Sequence, residues 1–133
     1  MTENIRAKIL AEALREIDQH GAEFHMDDLA RQLRISKRTL YEYFSSKQEI
    51  VEQAIISFFD PIYEYHQKLL DDKTMTCEEK IIAFFEIPNK NWKVLSVRNI
   101  CELLEKMPDV YERLESRYQK DWSLLEQILD EAQ

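Results

Sequence analysis

The sequence predicts an all-α protein, with a three-helix helix-turn-helix head followed by a helical body. Three observations predict it. Gly21 is the only glycine and there are three prolines in 133 residues, too few breakers for a chain of hairpins. Apolar residues recur at three- and four-residue spacing, and no stretch shows the alternation of a strand. The stretch 26–47, MDDLARQLRISKRTLYEYFSSK, sets two short helical patterns around a tight break and crowds cationic and aromatic residues onto the second.

Residues 4–20 form the first expected helix, with Ile5, Ile9, Leu10, Ala13 and Ile17 on one face. Gly21 follows where helices commonly end in a left-handed residue. Ala22, Phe24 and Met26 are placed to pack across the turn. Residues 27–33 form the second helix, with Leu29, Ala30 and Leu33 inward. Ser36 offers an N-cap oxygen to a third helix over 37–44. There Leu40 and Phe44 face inward, and Lys37, Arg38, Tyr41 and Glu42 face outward. Ser46 with Glu49 fits a capping box and opens a fourth helix bearing Ile50, Val51, Ala54, Ile55, Phe58 and Phe59.

At Pro61 either that helix kinks, or Asp60 caps a new segment with Pro61 in its first turn. Residues 71–75 read as a polar connection. Thr76 and Glu79 repeat the capping box and open a helix expected over 77–87, ended by Pro88. Residues 92–106 form the next. Pro108 marks a boundary, and 110–132 is the last helix. Its apolar stripe is Tyr111, Leu114, Tyr118, Trp122, Leu125 and Ile128 or Leu129.

The net charge of −8 is unevenly spread. Residues 1–47 carry 8 Lys/Arg against 8 Asp/Glu, whereas 48–133 carry 10 against 18. Within 31–47, Arg31, Arg34, Lys37, Arg38 and Lys47 face only Glu42. Over a Debye length of roughly 8 Å in physiological salt, this local charge is what a phosphate meets. No apolar run approaches the roughly 20 residues of a membrane span. The opening MTENIRAKIL lacks the apolar run of a signal peptide, so the expected location is cytoplasmic, with no membrane partner.

Other candidate chemistry has plain explanations. Cys77 and Cys101 are isolated and read as reduced, buried structural thiols. His20, His25 and His66 lack partners at metal-ligand spacing and read as surface or capping histidines. Glu78-Glu79 and Asp71-Asp72 sit at helix starts and connections, where the helix dipole and solvation account for them. One glycine allows no phosphate-cradling loop. The expectation is no metal, no cofactor and no enzyme.

A helix-turn-helix braces one helix behind a second that enters a major groove about 12 Å wide. The second helix here supplies Ser36, Lys37, Arg38 and Thr39 at its start, where base edges are met. Tyr41, Tyr43 and Lys47 lie where hydroxyl and ammonium groups can clasp phosphates.

These residues resemble a known family. Leu29-Ala30, Ile35-Ser36, Thr39-Leu40-Tyr41, Tyr43-Phe44 and Ser46-Lys47 are similar to the DNA-binding head of TetR-type transcriptional regulators, over about residues 5–55. The resemblance implies a homodimer, mostly acting as a repressor on a double-stranded DNA operator, with a helical body that takes a small-molecule effector. Two positions depart from the pattern. Arg34 stands where the turn usually has glycine, and His25 stands where Thr or Ser usually caps, leaving Asp27 as the expected cap. Such regulators continue into C-terminal dimerisation helices that this chain is expected to lack.

The expected organisation is a DNA-binding domain over 1–47 and a regulatory body over 48–133. For the effector pocket the candidates are Phe58, Phe59, Tyr63, Phe84, Phe85, Trp92, Tyr111 and Tyr118, suited to a hydrophobic or aromatic ligand. Ordinary core packing is the competing role for each. A helical protein-interaction module without DNA binding is the alternative function.

Overall fold

A computed structural model describes residues 4–84, 86 and 97–131. Among these it contains seven α-helices: α1 (Ile5–His20), α2 (Met26–Leu33), α3 (Lys37–Tyr43), α4 (Lys47–Asp71), α5 (Cys77–Phe84), α6 (Val97–Glu105) and α7 (Pro108–Glu131). A single 3-10 turn, Gly21–Glu23, joins α1 to α2.

The helix ends follow from local chemistry. Asn4 caps α1, its side-chain oxygen accepting the Ala7 N–H at 3.3 Å. Gly21 has φ +57 as expected, but ψ −135 lies outside the left-handed helical region, and the chain passes directly into the 3-10 turn. His25 precedes α2 without a side-chain capping bond, and Asp27 lies inside the first helical turn. The expectation that Asp27 caps is therefore corrected. Asp27 and Asp28 instead set negative charge against the positive end of the helix dipole.

The Thr76–Glu79 box is reciprocal: each backbone N–H is accepted by the other side chain, at 3.0 and 3.1 Å. The Ser46–Glu49 box closes only halfway. Ser46 accepts the Glu49 N–H at 3.1 Å, while Glu49 turns to the N–H and hydroxyl of Ser45. Those two bonds hold the Glu49 carboxyl below its usual pKa. Helix α4 runs through Pro61 for 25 residues, so Asp60 does not cap a new segment. Helix α7 opens on Pro108, where a missing N–H costs nothing.

One core runs from head to body. Ile9, Ile17, Phe24, Leu29, Leu40 and Phe44 are buried together with Ile50, Val51, Ile55 and Phe58 of α4. Leu103, Met107, Val110 and Leu114 close the same core from α6 and α7. Leu14 joins it, while Ile5, expected inward, is exposed. On α7 the expected Leu114 is buried and Tyr118 half-buried, but the first position of the stripe differs. Val110 is buried and Tyr111 is 48% exposed, because α7 presents Val110, Leu114 and Tyr118 to its neighbours. The side chains of Trp122, Leu125 and Ile128 lie outside the described residues.

A smaller cluster gathers Leu69, Ala83 and Phe84 at the far end of α4. His66 is buried beside it, which corrects its reading as a surface or capping residue. Its ring stacks on Phe84 at 3.8 Å, and Nε2 donates to the Phe84 carbonyl at 2.9 Å. Apolar stacking plus one satisfied donor explains how an imidazole tolerates burial. The thiols are corrected in the other direction: both are free, Cys77 half-buried and Cys101 exposed. Among the described residues no helix is long and apolar enough to cross a membrane, and no cluster of His, Cys, Asp and Glu could hold a metal ion.

Candidate nucleic-acid interface

The turn between α2 and α3 is built by two backbone bonds. The Ile35 N–H donates to Ala30 and the Arg34 N–H to Arg31, both at 3.1 Å. This crossed pair forces the intervening residue into the left-handed region, and Arg34 takes it at φ 58, ψ 39. Glycine would adopt that conformation without steric cost; arginine does not. Beneath the turn, Leu29, Ala30, Leu40 and Phe44 are buried, and the small Ala30 lets α2 brace α3 closely.

Ser36 starts α3 by accepting the Thr39 N–H at 3.0 Å, and its hydroxyl also meets that of Thr39 at 2.8 Å. Lys37, Arg38, Tyr41 and Glu42 project outward and are exposed; Thr39 and Tyr43 are half-buried. The Lys37 ammonium lies 3.2 Å from Asp27 of α2. Arg38 is 91% exposed at its side chain, with Glu42 one turn on at 3.9 Å. The outer face of α3 is thus cationic and aromatic, and its cations hold weak, exposed partners.

Two further cations are placed differently. Lys47, expected at a phosphate, turns back under the head. Its ammonium donates to the carbonyls of Ala22 and Phe24 at 2.9 and 2.6 Å and sits 4.3 Å from the centre of the Phe24 ring. Burial lowers the pKa of this ammonium, and the Glu23 carboxylate opposes that effect. Two carbonyls and a ring face at the helix start outcompete water for the charge. Arg6 of α1, absent from the sequence-based candidates, donates to the Tyr43 carbonyl at 3.0 Å, with its guanidinium 4.5 Å from the centre of the Phe44 ring. Only its place in the first turn of the first helix could have suggested it.

The profile described as "Bacterial regulatory proteins, tetR family" matches residues 9–54, the span from α1 into α4. The chain belongs to the tetR family. It is 30% identical over 125 residues to the uncharacterized HTH-type transcriptional regulator YvaF of Bacillus subtilis (strain 168), covering 94% of this chain and 66% of that protein. It is 27% identical over 109 residues to the HTH-type transcriptional repressor KstR2 of Mycolicibacterium smegmatis, covering 79% of this chain and 53% of that protein. The chain therefore spans about half to two thirds of the length of these relatives. No solved structure matches it.

In this tetR-family chain the described aromatic candidates of the body do not share one pocket. Phe58 is buried in the main core and meets Phe59 edge-on at 5.0 Å; Phe59 in turn meets Tyr118 at 5.6 Å. Tyr63 and Tyr118 line an open groove between α4 and α7 with Asp60, Glu64, Gln67 and Arg117. Phe84 belongs to the separate His66 cluster, and Tyr111 faces outward beside Cys101, Leu104 and Pro108. Phe85 and Trp92 lie outside the described residues. The groove is more polar than the aromatic count implied, because Arg117 and Asp60 pair across it.

Proposed function

We propose that this chain is the DNA-binding part, with much of the regulatory body, of a transcriptional repressor that recognises a specific double-stranded DNA operator and releases it on binding a small molecule. The observation that carries this reading is the outer face of α3. A capped helix, braced by α2, projects Lys37, Arg38 and Tyr41 into solvent with weak partners only. The first turn, with Ser36, Lys37, Arg38 and Thr39, would meet base edges and, through Lys37 and Arg38, the adjoining phosphates, and the Tyr41 and Tyr43 hydroxyls would reach phosphates. The net charge of −8 lies entirely in residues 48–133 and does not oppose this local face.

The working unit would be a homodimer that sets two copies of α3 about one helical turn, roughly 34 Å, apart. Because one core joins α1, α4, α6 and α7, a ligand that prefers one packing of the body would shift the spacing of the heads. The groove between α4 and α7 near Phe59, Tyr63 and Tyr118 is the part of the described body best placed for such a ligand. Its pairing of aromatic rings with Arg117 and Asp60 suits an effector that carries hydrogen-bonding groups as well as apolar surface.

The test is a salt titration of binding to a duplex selected by this chain from a random-sequence pool. Phosphate neutralisation predicts a steep linear fall of log affinity with log salt, and a preference for the selected duplex over a scrambled one. Salt-independent or sequence-blind binding would sink the proposal.

A further inference from the structure

Residues 24 and 47 bracket the whole helix-turn-helix. Phe24 lies just before α2, Lys47 opens α4, and both α2 and α3 are strung between them. The Lys47 ammonium bridges the two ends by holding the carbonyls of Ala22 and Phe24 at 2.9 and 2.6 Å. A lysine at the first position of a helix opposes the helix dipole, so its placement needs a local reason, and these two oxygens with the Phe24 ring supply one. At the other side, Arg6 pins the end of α3 through the Tyr43 carbonyl and the Phe44 ring. Both cations are directed at carbonyls, not at the outward face that carries Lys37 and Arg38.

We infer that Lys47 is a positioning residue that clasps the helix-turn-helix shut and so aims α3, and that it contributes no phosphate contact of its own. The inference rests on the proposed DNA-binding function and adds a role that the charge of the residue conceals. A cation that neutralises a phosphate steepens the salt dependence of binding by about 0.9 in the log–log slope. A clasp does not enter that count. It acts by keeping α2 and α3 in the geometry that fits the groove.

The experiment compares Lys47→Met, Lys47→Arg and Lys37→Met in the full chain on a duplex selected from a random pool by the unaltered protein, well below the thermal midpoint. Methionine keeps the apolar stem of Lys47 over Phe24 and removes the donors. Lys47→Met is expected to bind about tenfold more weakly with an unchanged slope, and its α2 and α3 amides to exchange faster in the free protein. Lys37→Met is expected to lower the slope by about 0.9 without faster exchange. Lys47→Arg keeps a cation fully able to grip phosphate but not the compact ammonium seat, so it is expected to weaken binding too. A lowered slope in Lys47→Met, or unaltered affinity in either Lys47 variant, overturns the inference alone. An unaltered chain that selects no duplex overturns the proposed function and the inference with it.

Discussion

Arg117 of α7 grips Asp60 of α4 with two parallel hydrogen bonds, Nε at 3.0 Å and Nη2 at 2.6 Å from the two carboxylate oxygens. The Tyr118 hydroxyl donates to the same carboxylate at 3.0 Å. The Arg117 guanidinium, and behind it Tyr118, hold the Asp60 carboxyl below its ordinary value of 3.8. Burial raises the Tyr118 hydroxyl, and the Asp60 charge raises it further. The pair ties the middle of α4 to α7, next to the groove proposed for an effector.

The sign of the pH effect follows. A depressed carboxyl contributes stability that is complete above its unfolded value, here 3.8, and is lost as pH falls through the lower folded value. Asp60→Asn is therefore expected to be less stable than the unaltered chain at neutral pH, by roughly 1 kcal/mol because the site is partly in water. The gap should narrow steadily as pH is lowered below about 4. Urea unfolding between pH 3 and 7 checks this. A gap that stays constant with pH would mean that the Asp60 charge is not what Arg117 recognises.

Arg34 yields a prediction of opposite sign. It occupies the left-handed region at φ 58 as the crossing point of the α2 terminus. Glycine there removes a steric cost of about 1–2 kcal/mol and adds about 0.5–1 kcal/mol of unfolded-state entropy. Arg34→Gly is expected to stabilise the chain by up to about 1 kcal/mol, whereas Arg34→Ala keeps the strain and gains nothing. Thermal unfolding of the two variants decides it. Equal midpoints would show that the turn relaxes elsewhere.

Phe44 tests the core beneath the recognition helix. It is 1% exposed, lies in one cluster with Leu29 and Leu40, and carries Arg6 on its ring face. Phe44→Ala is expected to cost roughly 3–5 kcal/mol. Because the core is continuous into α4 and α7, the loss should appear in the unfolding of the whole chain and not of the head alone. A Phe44→Ala chain whose body unfolds at an unchanged denaturant concentration would show that head and body are energetically separate.

The helices and the head were legible because each has a local signature. Ser36, Ser46 and Thr76 announce three helix starts, and Leu29, Leu40 and Phe44 fall on one face by spacing alone. The misplaced residues are those whose partners are distant in sequence. Lys47 meets Ala22 and Phe24, His66 meets Phe84, and Asp60 meets Arg117, none within reach of a periodicity argument. The start of the α7 stripe differs for a related reason. Val110 and Tyr111 both fit a helical period, and only the position of α4 and α6 decides which of them is buried. The described aromatic candidates fall in separate surroundings because composition counts rings without saying which helix faces they share.

The thiols give a rapid check on that difference. Cys101 is exposed on α6 and Cys77 is half-buried at the start of α5. In the native chain Cys101 is expected to react with a neutral thiol reagent several-fold faster than Cys77, and the two rates should converge in denaturant. Equal native rates would place Cys101 under cover.

The final prediction concerns what α3 gives up on reaching DNA. In the free chain Lys37 lies 3.2 Å from Asp27, and Arg38 lies 3.9 Å from Glu42. All four side chains are more than half exposed, so each pair contributes at most about 1 kcal/mol. A phosphate can displace the carboxylates cheaply, but the carboxylates remain close by and repel it. Removing either negative charge should therefore strengthen binding to any duplex. Asp27→Asn and Glu42→Gln are each expected to tighten binding by up to about fivefold at low salt, with the gain shrinking as salt rises. Glu126→Gln, exposed on α7, provides the control for a mere change in net charge. If all three variants gain equally, the effect belongs to total charge and the outer face of α3 is not where DNA is met. If Asp27→Asn and Glu42→Gln alone gain, the negative charges that matter are those beside Lys37 and Arg38, as the α3 interface requires.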